Sequence, residues 1–260
     1  MERDPHRWIT ALRDSHDRLT ALVGPLGPHQ VEAESRASGW SIAQVLSHLG
    51  SQAEIFGGFL DAAVAQREPP AQDTFPPIWE AWNSRTPPAQ VADSVTANEA
   101  FVRRLELLSD AELESIQLSL FGMEVDAVRL LQMRLSEHAL HTWDVAAALD
   151  PTAQVAADAV ELLVDSLPGL AQRVGKADGH NVRIRIVTVD PVRDVVLVVD
   201  DGVHIEARVD DGPVDGTLRL PAEALVLLVY GRLDPSLTRP VELEAGGLTL
   251  DDIRAVFPGL

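Results

Sequence analysis

Apolar residues recur every three or four positions through the first 150 residues and pass into alternating runs later in the chain. That change of period predicts an all-helical domain followed by a mixed α+β one. A first helix should open at Asp4, with Pro5 in the first-turn position that tolerates it and Trp8, Leu12, Leu19 and Val23 on one stripe, and should end at Gly24-Pro25. A second has Ser41 as cap, Gln44 three residues on to complete a capping box, and Trp40 and Val45 placed as a hydrophobic staple. Its core stripe is Ile42, Val45, Leu49, Ala53, Phe56 and Leu60.

Residues 66–90 carry six prolines around Trp79 and Trp82, which reads as a packed loop over one end of a bundle. A third helix is expected over 91–108 and a long fourth, apolar on several sides, over 125–149. Four helices with one long connection make a bundle. A fifth amphipathic helix, 153–167, leads through Pro168-Gly169 to strands at 182–189, 195–199, 203–209 and 216–220, a helix at 221–231, a strand at 241–244 and a last helix at 249–256. Asp200-Asp201-Gly202 is the hairpin turn between the second and third strands. The expected organisation is a helical bundle over 1–150, a helical connection over 151–176 and an α+β domain over 177–260.

Composition narrows the functions open to this fold. At 260 residues the chain can bury a sizeable core without staples, and it contains no cysteine, which removes disulfides, thiolate metal sites and an internal thiol nucleophile. The net charge of −19 repels phosphate backbones and anionic membranes, so neither nucleic acid nor membrane is an expected partner. The charged start, MERDPHRW, has no apolar run behind it, and the expectation is a soluble cytoplasmic protein, monomer or homodimer.

The chemistry-bearing string is S-E-H-A-L-H-T-W-D on the fourth helix. Glu137 and His141 stand four apart, hence on one face, and an imidazole with a carboxylate suits zinc, nickel or ferrous iron. Asp144, three residues beyond His141, is placed to accept its second ring N–H. On spacing alone the pair reads first as solvated surface groups, since Glu and His four apart occur on many surface helices. His48, at the border of the second helix's apolar stripe, reads either as an edge-of-core histidine or as a third ligand. His138 falls about a hundred degrees round from Glu137 and is expected at the surface; His16 is expected as a polar residue at the bundle edge.

These strings resemble a family. W-S-I-A-Q-V-L-S-H-L at 40–49 and R-L-S-E-H-A-L-H-T-W-D at 134–144 are similar to the two motifs of the mycothiol-dependent maleylpyruvate isomerase family, within the wider DinB-like metal-binding bundles. G-T-L-R-L-P-A-E-A-L-V-L-L-V-Y-G-R at 216–232 resembles that family's C-terminal domain, of sterol-carrier-protein-like α+β fold. The resemblance covers nearly the whole chain in order. It implies a zinc ion, or another divalent metal, bound by His48, Glu137 and His141, and mycothiol, the small thiol of actinobacteria, as cosubstrate.

The implied activity is addition of a metal-activated thiolate to an electrophilic carbon, of the maleylpyruvate isomerase type. S-transfer to another electrophile is the alternative enzyme, and a metal- or small-molecule-binding protein without turnover is the alternative of another class. Arg232, after the apolar helix, is the candidate to hold a substrate carboxylate in a guanidinium fork, against the plainer reading of an arginine on the last helix carbonyls. Phe75, Trp79 and Trp82 are candidates to roof the pocket.

Overall fold

The structure is a computed structural model that describes residues 2–120, 122–177, 179, 181–208, 212–237 and 239–259. It divides into two compact units, Arg3–Gln154 and Val155–Leu260. In the first, α1 (Pro5–Val23) opens as the sequence dictates: the Asp4 carboxylate accepts the His6 N–H at 3.0 Å and Pro5 occupies the first turn. After the short α2 (Pro28–Val31) comes α3 (Ile42–Val64), where the Ser41 hydroxyl accepts the Gln44 N–H at 3.2 Å and the Gln44 side chain accepts the Ser41 N–H at 2.8 Å. The capping box is therefore closed from both sides. The Trp40 ring lies against two histidine rings described below, and it is 37 % exposed.

The proline-rich stretch is helical where a loop is expected. After a single 3-10 turn, α4 (Phe75–Asn83) carries proline in its first turn, and α5 (Pro87–Glu106) begins four residues earlier than the apolar spacing alone indicates, again on proline. A first-turn proline loses no hydrogen bond, because its missing N–H would have had no intrahelical acceptor. Beyond α6 (Asp110–Ser115), a hairpin of β1 (Gln117–Leu120) and β2 (Met123–Asp126) occupies the start of the expected fourth helix. α7 (Ala127–Leu149) starts only where the Asp126 carboxylate accepts the Arg129 N–H at 2.8 Å.

α1, α3, α5 and α7 form the bundle: α3 packs on α5 and α7, and α1 packs on the same two helices. α7 thus has a neighbour on either side, which is why it is apolar around most of its circumference and has Leu130, Leu131, Leu135 and Leu140 buried. α4 packs on α3 through an uncommon close approach. A Cβ at Gly50 would lie 2.2 Å from the buried Trp82 ring, whose indole N–H donates to Glu54 at 2.9 Å. Gly50→Ala is expected to cost about 1–3 kcal/mol by overpacking, although alanine is the better helix former. Gly57→Ala, on the same helix with nothing within 4 Å of the new Cβ, should instead gain up to about 1 kcal/mol. Urea unfolding of both variants checks the opposite signs.

α1 and α7 also bury polar groups between them. His138 is 0 % exposed, and its Nδ1 lies 2.8 Å from the Ser15 hydroxyl. His16 is also buried, with Nε2 3.2 Å from Glu99 and its ring 6.2 Å from that of His138. Both correct the sequence-based placement. The face a hundred degrees from Glu137 turns toward α1 rather than solvent.

Burial lowers the His16 pKa from its ordinary 6.5, and the facing Glu99 offsets only part of this. The unfolded chain therefore binds this proton more tightly than the fold does. The resulting stability is intact above about pH 6.5 and is lost as pH falls below it. His16→Gln should flatten that acid limb, read as the change in urea midpoint between pH 7.5 and pH 5.5.

In the second unit, α8 (Ala157–Leu163), a 3-10 turn and α9 (Leu167–Val174) replace the single expected helix. Pro168 opens the first turn of α9 rather than ending a helix. The sheet comprises β3 (Val182–Val189), β4 (Arg193–Val199), β5 (Val203–Ala207), β6 (Gly216–Pro221) and β7 (Glu242–Ala245), in the order β5-β4-β3-β6-β7. β3 and β6 are parallel and all other pairs antiparallel. The expected strand end at Val209 lies outside the described residues. α10 (Ala222–Val229) packs on α8 and α9 and against β3 and β6, and α11 (Leu250–Val256) closes the chain. The buried Glu223 carboxylate accepts two bonds from Arg239, at 3.0 and 3.1 Å, and one from the Val155 N–H at 3.3 Å, which ties the start of this unit to α10. No helix among the described residues is long and apolar enough to cross a membrane.

Candidate metal centre

α3 and α7 bring His48, Glu137 and His141 together: one donor atom from each lies within 4.8 Å of the other two. Glu137 Oε2 is 3.0 Å from His48 Nε2 and 3.6 Å from His141 Nε2. The two imidazoles meet edge to face, with centroids 4.9 Å apart, and the Trp40 ring lies 5.1 Å from one and 6.0 Å from the other. Asp144, fully buried, sits 2.8 Å from His141 Nδ1. It holds that ring with Nδ1–H toward the carboxylate and Nε2 toward the triad, the orientation a metal-binding histidine needs.

Two residues that sequence reasoning missed complete the surroundings. Arg134, 0 % exposed, donates to Gln52 Oε1 at 2.8 Å, to the Leu49 carbonyl at 3.1 Å and to Asn98 Oδ1. With its oxygen committed to Arg134, Gln52 turns its amide nitrogen to Glu137 Oε2 at 2.8 Å and His48 Nε2 at 2.9 Å. Spacing contained the signal: Gln52 is one helical turn from His48, and Arg134 nearly one turn from Glu137.

Proton accounting at this point tests whether a cation fits. An amide NH₂ only donates, so His48 Nε2 must accept from Gln52, yet at 3.0 Å from Glu137 Oε2 the same nitrogen would have to donate. One nitrogen cannot do both. With Nε2 unprotonated, its one lone pair and that of the Glu137 carboxylate face each other, and a divalent cation between them would take both, leaving the Gln52 amide to donate to Glu137 Oε2 at 2.8 Å. Two imidazole nitrogens and a carboxylate oxygen are a donor set that zinc accepts while keeping a fourth position open.

The electrostatics agree. Burial alone would raise the Glu137 pKa, but the His141 and His48 imidazoles beside it hold it well below the usual carboxylate range. Burial would likewise lower His141, yet the bonds to Asp144 and Glu137 leave it raised, while burial leaves His48 lowered.

A cavity of about 620 Å³ opens beside His48, lined by Trp40, Phe56, Phe59, Phe75 and Trp79 with Ile55, Gln44, Ser51, Gln52 and Asn83. Phe75 and Trp79 thus line it, whereas Trp82 is buried against Gly50. His16 and His138 are outside both the lining and the triad. Arg232, in the second unit, follows the left-handed Gly231 that ends α10. Its N–H donates to the Leu227 carbonyl at 2.7 Å and its guanidinium to the Tyr230 carbonyl at 3.2 Å, a helix-end arrangement.

Comparison with known proteins follows the same lines. A Geobacillus thermodenitrificans protein named provisionally as a metal-dependent hydrolase is 41 % identical over 46 residues, 18 % of this chain and 26 % of its own length. The chain therefore matches about a quarter of that relative. The crystal structure of the mycothiol-dependent maleylpyruvate isomerase superposes with a TM-score of 0.68 at 13 % identity, covering 92 % of this chain and 93 % of that one, and a mutant of that enzyme gives the same values. At that identity the likeness establishes the fold. The family model described as the mycothiol maleylpyruvate isomerase N-terminal domain matches residues 12–146, more than half of the chain and the whole of the stretch that carries the triad, and the chain belongs to that family.

Proposed function

We propose that this protein is a metal-dependent enzyme that joins an external thiol, mycothiol, to an electrophilic carbon, with zinc held by His48, Glu137 and His141. The observation that carries the reading is the convergence of those three donor atoms within 4.8 Å, with Asp144 orienting His141. A zinc ion bound there supplies an open coordination position and lowers the pKa of a thiol brought to it, so that a nucleophilic sulfur exists near neutral pH. The chain's own residues do the rest. Asp144 fixes the His141 tautomer, Gln52 steadies the Glu137 oxygen, and Trp40 shields both imidazoles from water on one side. The chain has no cysteine, so the thiol comes from outside.

Addition followed by elimination isomerises a double bond, as the isomerase type implies; addition without elimination yields an S-conjugate. The experiment is metal analysis of purified protein, then turnover of maleylpyruvate and a panel of electrophiles with and without mycothiol. Thiol-dependent turnover that chelation abolishes is the expected result. Thiol-independent hydrolysis would overturn the mechanism, and metal binding with no turnover across the panel would favour a binding protein.

A further inference from the structure

The cavity beside His48 has an unusual wall for an enzyme whose fold relatives include one acting on maleylpyruvate. Its large surfaces are the rings of Trp40, Phe56, Phe59, Phe75 and Trp79, and its polar groups are neutral amides and a hydroxyl. Among the described residues that line it, none but His48 is ionisable, and none is arginine or lysine. The first 150 residues contain 11 arginines, no lysine and 22 acidic residues, so this part of the chain carries a net negative charge. Arg134, the nearer of the two α7 guanidiniums to the triad in sequence, is turned inward to Gln52, Leu49 and Asn98, and Arg85 lies over the Trp82 ring at 3.6 Å.

A dicarboxylate entering this cavity would lose its hydration and meet no cationic side chain in the wall. An aromatic or alkyl group would lose only unfavourable contact with water and gain ring contacts, and the volume lies within the range that takes a drug-sized molecule.

We propose that this cavity takes an uncharged, aromatic- or alkyl-bearing electrophile, an activated alkene being the simplest class. This rests on the reading in which an external thiol attacks beside His48. In the addition, a carbon–sulfur bond forms at the β-carbon as the alkene π bond breaks. Its electron pair moves to the carbon next to the activating carbonyl, and that carbon takes up the proton the thiol has lost, so no further reactant is consumed. Trp79, 43 % exposed, and Phe75 set which hydrophobic group fits. Gln44 and Asn83 are the positions at which a charge would change the preference.

The test separates the pocket from the chemistry. Isothermal titration of the full chain, chelator-treated and without thiol, compares 4-phenyl-3-buten-2-one with its ring-carboxylated analogue and with fumarate. The neutral enone should bind, and each anion should bind roughly tenfold or more weakly. Trp79→Ala should weaken the enone, and Asn83→Arg should narrow or reverse the preference without altering the far-UV circular dichroism.

Equal or tighter binding of the anions, no binding of the enone, or indifference to both substitutions would overturn the proposal. With zinc and mycothiol added, the S-conjugate of the enone should accumulate. Selective enone binding with no conjugate would defeat the thiol-transfer reading and leave the pocket assignment standing. Thiol-dependent turnover of maleylpyruvate but not of the enone would do the reverse.

Discussion

Glu137→Ala is expected to lower zinc affinity by more than about 100-fold and to abolish thiol-dependent turnover. Loss of an outer partner of a metal site typically costs 10–100-fold, and Glu137 supplies both a donor atom and the only negative charge in the triad. Its removal also leaves the Gln52 amide without its carboxylate acceptor. Asp144→Ala, which frees the His141 ring while keeping all three donors, should fall within that 10–100-fold range. Competition against a chromophoric chelator measures both. Glu137 is half-buried on α7 rather than part of the apolar core, so far-UV circular dichroism and the urea midpoint should change little. Unaltered affinity in the Glu137 variant would remove the triad as the metal site.

Arg134→Ala should destabilise the bundle by about 3–5 kcal/mol and weaken zinc binding as well. The guanidinium is fully buried and has the rings of Phe56 and Phe101 within 6 Å. Burial brings its pKa down to about 10, which leaves it charged at neutral pH. Its partners are an amide oxygen on α3, a carbonyl on α3 and an amide oxygen on α5, so one side chain of α7 holds three helices. Truncation leaves those acceptors buried without donors and opens a cavity. It also releases Gln52 to rotate, and with it the amide that steadies Glu137. Arg134→Lys should recover only part of the loss, because an ammonium lacks the planar fork that reaches two helices at once. Urea unfolding together with zinc titration distinguishes this from a purely structural role, in which stability would fall and the affinity of the remaining folded protein would not.

What the amino-acid sequence determined by itself lies within one or two helical turns. Asp4-Pro5 and the Ser41/Gln44 box start helices because each capping oxygen and the N–H it accepts from are three residues apart at most. The alternating residues at 182–189 make a strand because their period suits one. Glu137 and His141 share a face because helices repeat every 3.6 residues.

The prolines of 66–90 misled in the other direction: as residue types they read as breakers, and only their place in a first turn makes Pro76 and Pro87 helix starters. The hairpin before α7 was hidden for a related reason, since Val125 suits a helix stripe as well as a strand.

Whatever depended on which helix lies beside which was decided by tertiary structure. α7 packs against α1 on one side and α3 on the other, so His138 is buried against Ser15 while Glu137 meets His48. The angle between two residues on one helix does not say which of them faces solvent. The Arg134–Gln52 link and the uncharged wall of the cavity belong to the same class, because each joins side chains dozens of residues apart whose proximity exists only once the bundle has closed.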